Sequence, residues 1–214
     1  MIADSLFAQK KYTQSFDLYQ EIYTSYGKVS PSMLLKMAFV KEGLGDYSNA
    51  LYYLNLYYLK TYDKKVLKKM ENLAERYHLE GYNYDDAEFF LNLYQRFQIQ
   101  IDLFVTGLLL IFLGIIVYQK RKNGHISAMT GYAYISLLVV LLLVNNFGRE
   151  RKQAIISSDN AYLMDGPSPG ADVIDVVAVG HRVKILGHQD VWVEISWDDK
   201  SAYIKEFNLK PIEL

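Results

Sequence analysis

Cysteine is absent from all 214 residues. Disulfides, thiolate metal sites and cysteine nucleophiles are thereby excluded. The common motifs of chemistry are missing too. There is no Gly-rich phosphate loop, no dinucleotide-binding glycine fingerprint, no His-Glu-x-x-His and no Gly-x-Ser-x-Gly. The histidines His78, His125, His181 and His188 are scattered over three segments. His181 and His188 with Asp190 make the one grouping with metal-site character, and histidines in loops and at strand edges are ordinarily solvated. Asp198-Asp199 fits a hairpin turn better than acid–base work, because adjacent turn side chains diverge. Excess positive charge is lacking as well: the formal net charge is −1. Residues 1–100 balance at 12 basic and 12 acidic side chains, and residues 153–214 carry 5 basic against 10 acidic. Phosphate backbones need clustered Lys and Arg, so nucleic acid is not an expected partner. No catalytic residue, cofactor or metal is expected. The start, Met1-Ile-Ala-Asp-Ser-Leu-Phe7, has neither the basic end nor the apolar stretch of a secretory signal.

What the chain does contain is two long apolar runs, Leu103 to Tyr118 and Ile126 to Phe147. Each approaches or exceeds the roughly 18 apolar residues that cross a bilayer as a helix. The expectation is a transmembrane hairpin over 99–148, with spans at 102–119 and 126–147 and a loop at 119–125. Gly107 and Gly114 in the first span lie on one face, and Gly131 sits in the second among Ala128, Ala133 and Ser136. Small residues let helices approach closely in lipid. Two uses stay open for them: packing the hairpin on itself, or docking other membrane subunits. Lys120-Arg121-Lys122 marks the loop as cytoplasmic, while Arg149, Arg151 and Lys152 argue the reverse. Asp102 and Asn145-Asn146 lie at the ends of the spans, where a capping or interfacial role is expected.

Before the hairpin the sequence repeats itself. Tyr12, Ser15 and Tyr19 recur as Tyr47, Ala50 and Leu54, an offset of 35 in every case. A looser third copy places Tyr84 and Ala87 in the Tyr and Ala roles. A period near 34 marks helix-turn-helix solenoids. Helices are expected over 3–9, 12–26, 31–43, 47–61, 64–77 and 85–98. Ser30-Pro31 supplies an N-cap and first-turn proline, and Gly27 and Gly43 suit helix ends. The stretch from Leu34 to Leu51 resembles the tetratricopeptide repeat (TPR), with Met37-Ala38 in its first helix, Gly45-Asp46-Tyr47 in its turn and Ala50 at its close-packing position. Fourteen of the 19 tyrosines precede residue 100. Tyr52, Tyr53, Tyr57 and Tyr58 fall within two turns of one helix and span too wide an arc to share one face. Packing within the chain competes here with an aromatic groove for a partner, formed by Tyr53, Tyr57 and Tyr58. Lys64, Lys65, Lys68 and Lys69 make a basic helix face, either solvated or against lipid headgroups.

After Ala154 short alternating runs take over, at 172–179, 182–186, 191–196 and 202–204, separated by turn residues. This is the texture of a compact antiparallel barrel. Ala161-Tyr-Leu163, Pro167-Ser168, Gly180-His-Arg-Val183, Trp192-Val-Glu-Ile195, Ala202-Tyr-Ile204 and Leu209 follow the order of the bacterial SH3 family, which the segment resembles. That resemblance implies a domain outside the cytoplasmic membrane that binds proteins or cell-wall peptides. Trp192 is expected in its core, and Tyr162 and Trp197 at a shallow ligand groove.

The fold class expected is therefore a multidomain membrane protein: an all-α TPR-like repeat over 1–98, the transmembrane hairpin, and a small all-β SH3-like barrel over 154–214. The combination resembles the E-type component of bacterial aerotolerance (Bat) operons. That resemblance implies a non-enzymatic scaffold in the inner membrane, in a hetero-oligomeric complex with von Willebrand A-type membrane proteins and a MoxR-type ATPase. Both terminal domains are expected in the periplasm. The alternative is a sensor or tether that binds peptidoglycan.

Overall fold

The computed structural model describes residues 2–83, 86–147 and 152–214. Two compact units emerge. One joins Met1–Tyr84 to Arg151–Leu214, and the other is Asp85–Glu150. The two ends of the chain, expected as separate domains, thus form one body. The expected boundary at residue 98 also moves, because the helix expected at 85–98 runs unbroken into the first apolar run.

Five helices build the first half of the larger unit: α1 (Ile2–Ala8), α2 (Tyr12–Tyr26), α3 (Pro31–Gly43), α4 (Tyr47–Thr61) and α5 (Lys64–Arg76). Their limits follow local chemistry. The Ser30 hydroxyl accepts from the Met33 amide at 3.2 Å, and Pro31 opens α3. Gly27 closes α2 with φ +59°. Gly45, at φ +75°, makes the turn into α4, and the Asp46 carboxylate caps that helix through the Asn49 amide. The 35-residue offset has a structural counterpart. Ser15 and Ala50 are both fully buried, as are Tyr19 and Leu54, while Tyr12 and Tyr47 are both half-buried. The Ser15 hydroxyl uses its burial to bond the Ala3 carbonyl at 2.8 Å. Tyr84 of the expected third copy, and the side chain of Ala87, lie outside the described residues.

The second half is a seven-stranded antiparallel sheet: β1 (Gln153–Ile156), β2 (Ala161–Met164), β3 (Val173–Val177), β4 (Arg182–Gln189), β5 (Trp192–Trp197), β6 (Lys200–Lys205) and β7 (Leu209–Pro211). Its order is β3-β2-β6-β5-β4-β1-β7. Alternation sends Ile156, Leu163, Val183, Ile195 and Ile204 into a single core. Trp192 is buried, as expected. Asp198 and Asp199 both adopt positive φ between the paired Trp197 and Lys200. That is a two-residue hairpin turn whose twist matches the strands.

The smaller unit is a helical hairpin, α6 (Asp86–Asn123) and α7 (Ala128–Phe147). Within them, Arg96–Asn123 and Ala128–Asn146 are long and apolar enough to cross a membrane, and only 11% and 0% of their most apolar windows are buried. A globule's core helix would be mostly covered, so these helices present their apolar surface outward. Val105 and Leu109 are buried and Phe112 and Ile116 half-buried on α6, and Tyr134, Leu137, Leu141 and Val144 are half-buried on α7. Their alternating three- and four-residue spacing is that of a close helical seam. Polar groups clip both ends. Gln119 donates to the Thr130 hydroxyl at 3.0 Å and accepts from the Ser127 amide at 3.1 Å. At the other end Asn145 donates to Asp102 at 3.2 Å, and the Tyr94 hydroxyl donates to the Val144 carbonyl at 2.6 Å. Gly107, Gly114 and Gly131 are not part of the seam: a Cβ at any of them would meet nothing within 4 Å. Of the two uses left open by the sequence, packing of the hairpin on itself does not involve them.

Ala50 has no room for a larger side chain, since α3 and α4 pack across it. Ala50→Leu is expected to destabilise the larger unit by about 1–3 kcal/mol. Chemical unfolding of the full chain in neutral detergent checks this, and an unchanged midpoint contradicts the packing described.

Candidate functional site

The three tyrosines expected to form a partner groove do not face solvent. Tyr53 is 2% exposed, Tyr58 is buried and Tyr57 is half-buried. The Tyr53 phenol donates to Gln20 at 2.6 Å, and its ring meets Phe16 and Tyr52 edge-on. The Tyr58 ring packs on Tyr62 at 5.7 Å. The expectation of an aromatic surface for another protein is corrected here. α4 has structure on both sides, so a wide aromatic arc can be covered all round. Helices cover one side, and the terminal strand of the sheet covers the other.

That second cover is a lysine. The Lys210 ammonium of β7 stands 3.8 Å from the centre of the Tyr52 ring and 5.4 Å from that of Tyr53. It donates to the Asn49 side-chain oxygen at 2.7 Å. The Asn49 amide donates in turn to Asp46, which also pairs with Lys41 at 2.9 Å. The first two turns of α4, with Asn49 held by the Asp46 cap, are therefore the receptor for the last strand. Burial lowers the Lys210 pKa to about 8, against the pull of the Asp46 charge. The π face of Tyr52 favours the ammonium and offsets part of that penalty. Burial raises the Tyr52 and Tyr53 phenols above their ordinary range; the Tyr23 hydrogen bond adds to this at Tyr52, and the charges of Tyr23 and Asp46 add to it at Tyr53.

A second contact is made by backbone. The segment following α5 lies along the turn into β4. The Arg182 amide donates to the Glu80 carbonyl at 3.0 Å, and the Glu80 amide donates to His181 Nδ1 at 2.9 Å. Arg182 Nε donates to the Gly81 carbonyl at 2.6 Å, and its guanidinium lies over the Tyr82 ring. Tyr82, 1% exposed, donates its phenol hydrogen to the Gly180 carbonyl at 2.8 Å. Glycines make this approach feasible. Gly81 has φ +88°, and a Cβ there would collide with the Arg182 carbonyl. A Cβ on Gly180 would press on Leu79 at 3.1 Å. His181, the residue with faint metal-site character in the sequence, is instead an acceptor in this joint. Among the described residues no three His, Asp or Glu side chains gather to hold a metal.

What remains open is the far side of the sheet. β3 is an edge strand. Tyr162 on β2 stands directly opposite Val176 on β3, and the register shifts just beyond, where Ile174 is the unpaired residue of a bulge. Tyr162 is 59% exposed, and Ile174 and Val176 are each 48% exposed. Tyr162 is thus placed at the surface, as expected. Trp197 is half-buried against the core; its indole nitrogen donates to Asp175 at 3.1 Å and its ring meets His181 edge-on. It braces β3 from beneath and is not an open platform. Ile174 and Val176 were missed as surface residues because a run of β-branched residues reads as a covered strand, whereas Val173 to Val176 are all exposed here.

Two outcomes test this joint. Gly81→Ala adds strain of order 1–3 kcal/mol at a positive φ. Hydrogen exchange at the Arg182 amide is expected to speed up roughly tenfold or more, and unchanged exchange contradicts the contact. Acid acts on His181. Its Nδ1 must be unprotonated to accept from Glu80. Burial lowers its pKa below 6.5, against Glu80 and Asp175. Its contribution is therefore whole above 6.5 and lost as pH falls through the lowered value. Exchange at the Glu80 amide, corrected for intrinsic rate, is expected to rise on acidification, and His181→Phe is expected to remove that pH dependence.

The comparisons with known proteins bear on the sheet alone. Residues 159–209 match the family model of the bacterial SH3 domain. No curated protein and no solved structure matches the chain. The match runs from the turn before β2 to the first residue of β7, so β1 lies outside it. Taken with the antiparallel strand order and the buried Trp192, it identifies residues 159–209 as a bacterial SH3 domain.

Proposed function

We propose that this chain is a non-enzymatic, membrane-anchored scaffold of the bacterial envelope. The observation that carries it is the exposed pair Tyr162 and Val176, with Ile174 exposed beside them on the edge strand. They form an exposed apolar patch on the edge of an SH3 domain whose opposite flank is already committed to the helices. Such an edge offers both unpaired backbone and apolar contact to an extended partner segment. Bacterial SH3 domains act in protein–protein or cell-wall binding, and the acidic balance of residues 153–214 favours a partner with basic charge.

On this reading α6 and α7 cross the inner membrane as a two-helix anchor. Docking of the SH3 domain on the helices needs both ends of the chain on one side, and an even number of crossings provides that. Gly107, Gly114 and Gly131, unused within the hairpin, leave flat helix surface for other membrane subunits. The resemblance to the E-type component of Bat operons makes the partners von Willebrand A-type membrane proteins and a MoxR-type ATPase, with the ends of the chain in the periplasm. The helical pairs are read as TPR-like.

Affinity purification of the full chain from native membranes tests the scaffold. Other membrane subunits are expected to co-purify, and Tyr162→Ser with Val176→Ser is expected to lose those held by the edge. A strict monomer with nothing attached contradicts the scaffold. Retention of the detergent-solubilised full chain on purified sacculi, lost in the same variant, would instead favour a peptidoglycan-binding tether.

A further inference from the structure

A second surface lies away from the SH3 edge. α5 buries Val66, Leu67, Met70, Leu73 and Ala74 in the helical core and turns its opposite face to solvent. Beside it lies an open groove of about 410 Å³. Four cations line it: Lys65, Lys68, Lys69 and Arg76. One carboxylate, Glu42 of α3, answers them, and it is bound to Lys69 at 2.7 Å. Lys65 and Lys68 have no carboxylate partner among the described residues. The acidic residues of α5, Glu71 and Glu75, do not line the groove.

We propose that this groove is an adsorption surface for the headgroups of acidic phospholipids. The argument is one of charge and form. Lysines at helical spacing form a stripe of point charges, which suits phosphoryl oxygens but builds no closed pocket. Among the described residues that line the groove there is no aromatic face to stack a base and no glycine-rich loop to wrap a phosphate. The apolar face of α5 is committed to the core, so the helix can adsorb to a bilayer but not insert. A bilayer is also the anionic surface this chain keeps near: nine residues separate the end of α5 from the start of α6. Adsorption would restrain the larger unit at the membrane. The proposal rests on the reading that α6 and α7 lie in lipid.

Because the chain lacks cysteine, Asn72→Cys places a single thiol in the groove with all four cations kept. A spin label there reports collisions with a neutral water-soluble nickel complex. The full chain in nanodiscs containing phosphatidylglycerol is expected to show collisions reduced roughly threefold or more relative to phosphatidylcholine discs. Salt at about 0.5 M, which shortens screening to about 4 Å, is expected to restore them. Lys65→Gln with Lys68→Gln is expected to abolish the difference. Equal collision rates in both kinds of disc overturn the proposal. Protection by inorganic phosphate in phosphatidylcholine discs, with none from phosphatidylglycerol, also overturns it and makes soluble phosphate the ligand. A second label at Leu110→Cys, on the exposed apolar face of α6, separates the two readings. Oxygen-rich, nickel-poor behaviour there means the spans hold, so that failure at Asn72 falls on the groove alone. A nickel-accessible Leu110 overturns the membrane reading and the proposal with it.

Discussion

The joint between Glu80–Tyr82 and Gly180–Arg182 is the constraint on which the rest of the molecule depends. It pairs backbone with backbone, buries a tyrosine and lays a guanidinium over that ring. Each group in it would be costly to bury alone. Tyr82 and Arg182 satisfy one another's surroundings, and the carbonyls of Glu80, Gly81 and Gly180 each receive a donor. Lys210 adds a second clamp on α4, where one ammonium is held by an amide oxygen and an aromatic face. Two small modules thereby share one body. Neither is large, and small domains bury too little surface to be robust alone. A common interface relieves that shortage.

The joint also determines which surfaces remain available. It covers the flank of the sheet near β7 and the turn before β4, and leaves the β2–β3 edge bare. Lys210 covers the aromatic side of α4, and the basic side of α5 stays bare. The larger unit thereby presents two unlike faces: an exposed apolar sheet edge at β2–β3, and a groove lined by four cations. Between the helices and the SH3 domain the sequence inserts its apolar hairpin. The two halves of the body meet although that hairpin lies between them in the sequence.

Much of this was legible in the residues. Periodicity separated helix, apolar span and strand, and the helix limits from Tyr12 to Thr61 follow caps and turns written locally in Ser30-Pro31, Gly27 and Asp46. The matched burial of Ser15 with Ala50 and of Tyr19 with Leu54 shows that the 35-residue offset carried packing information. The joint was not legible. Gly81 and Arg182 lie 101 residues apart, and their contact runs through carbonyls and amides that every residue possesses. No spacing rule announces such a partner. Lys210 read as one more surface cation, because nothing around it in sequence says that an aromatic helix will cover it. The tyrosines of α4 were ambiguous for the same reason: an arc too wide for one core is explained by two covers, and the second comes from the far end of the chain. The continuity of α6 was hidden by composition, since Asp86, Glu88, Arg96 and the amides of its first third set that part off from the uninterrupted apolar run that follows.

A double-mutant cycle between Tyr82 and Arg182 measures the joint most directly. Tyr82→Leu, Arg182→Met and the double variant would be unfolded thermally as full chains in neutral detergent. The account predicts a coupling energy of roughly 0.5–2 kcal/mol between the two positions, as expected for a desolvated cation over a ring within one network. Strictly additive effects would contradict it, and would mean that the helices and the SH3 domain do not hold one another.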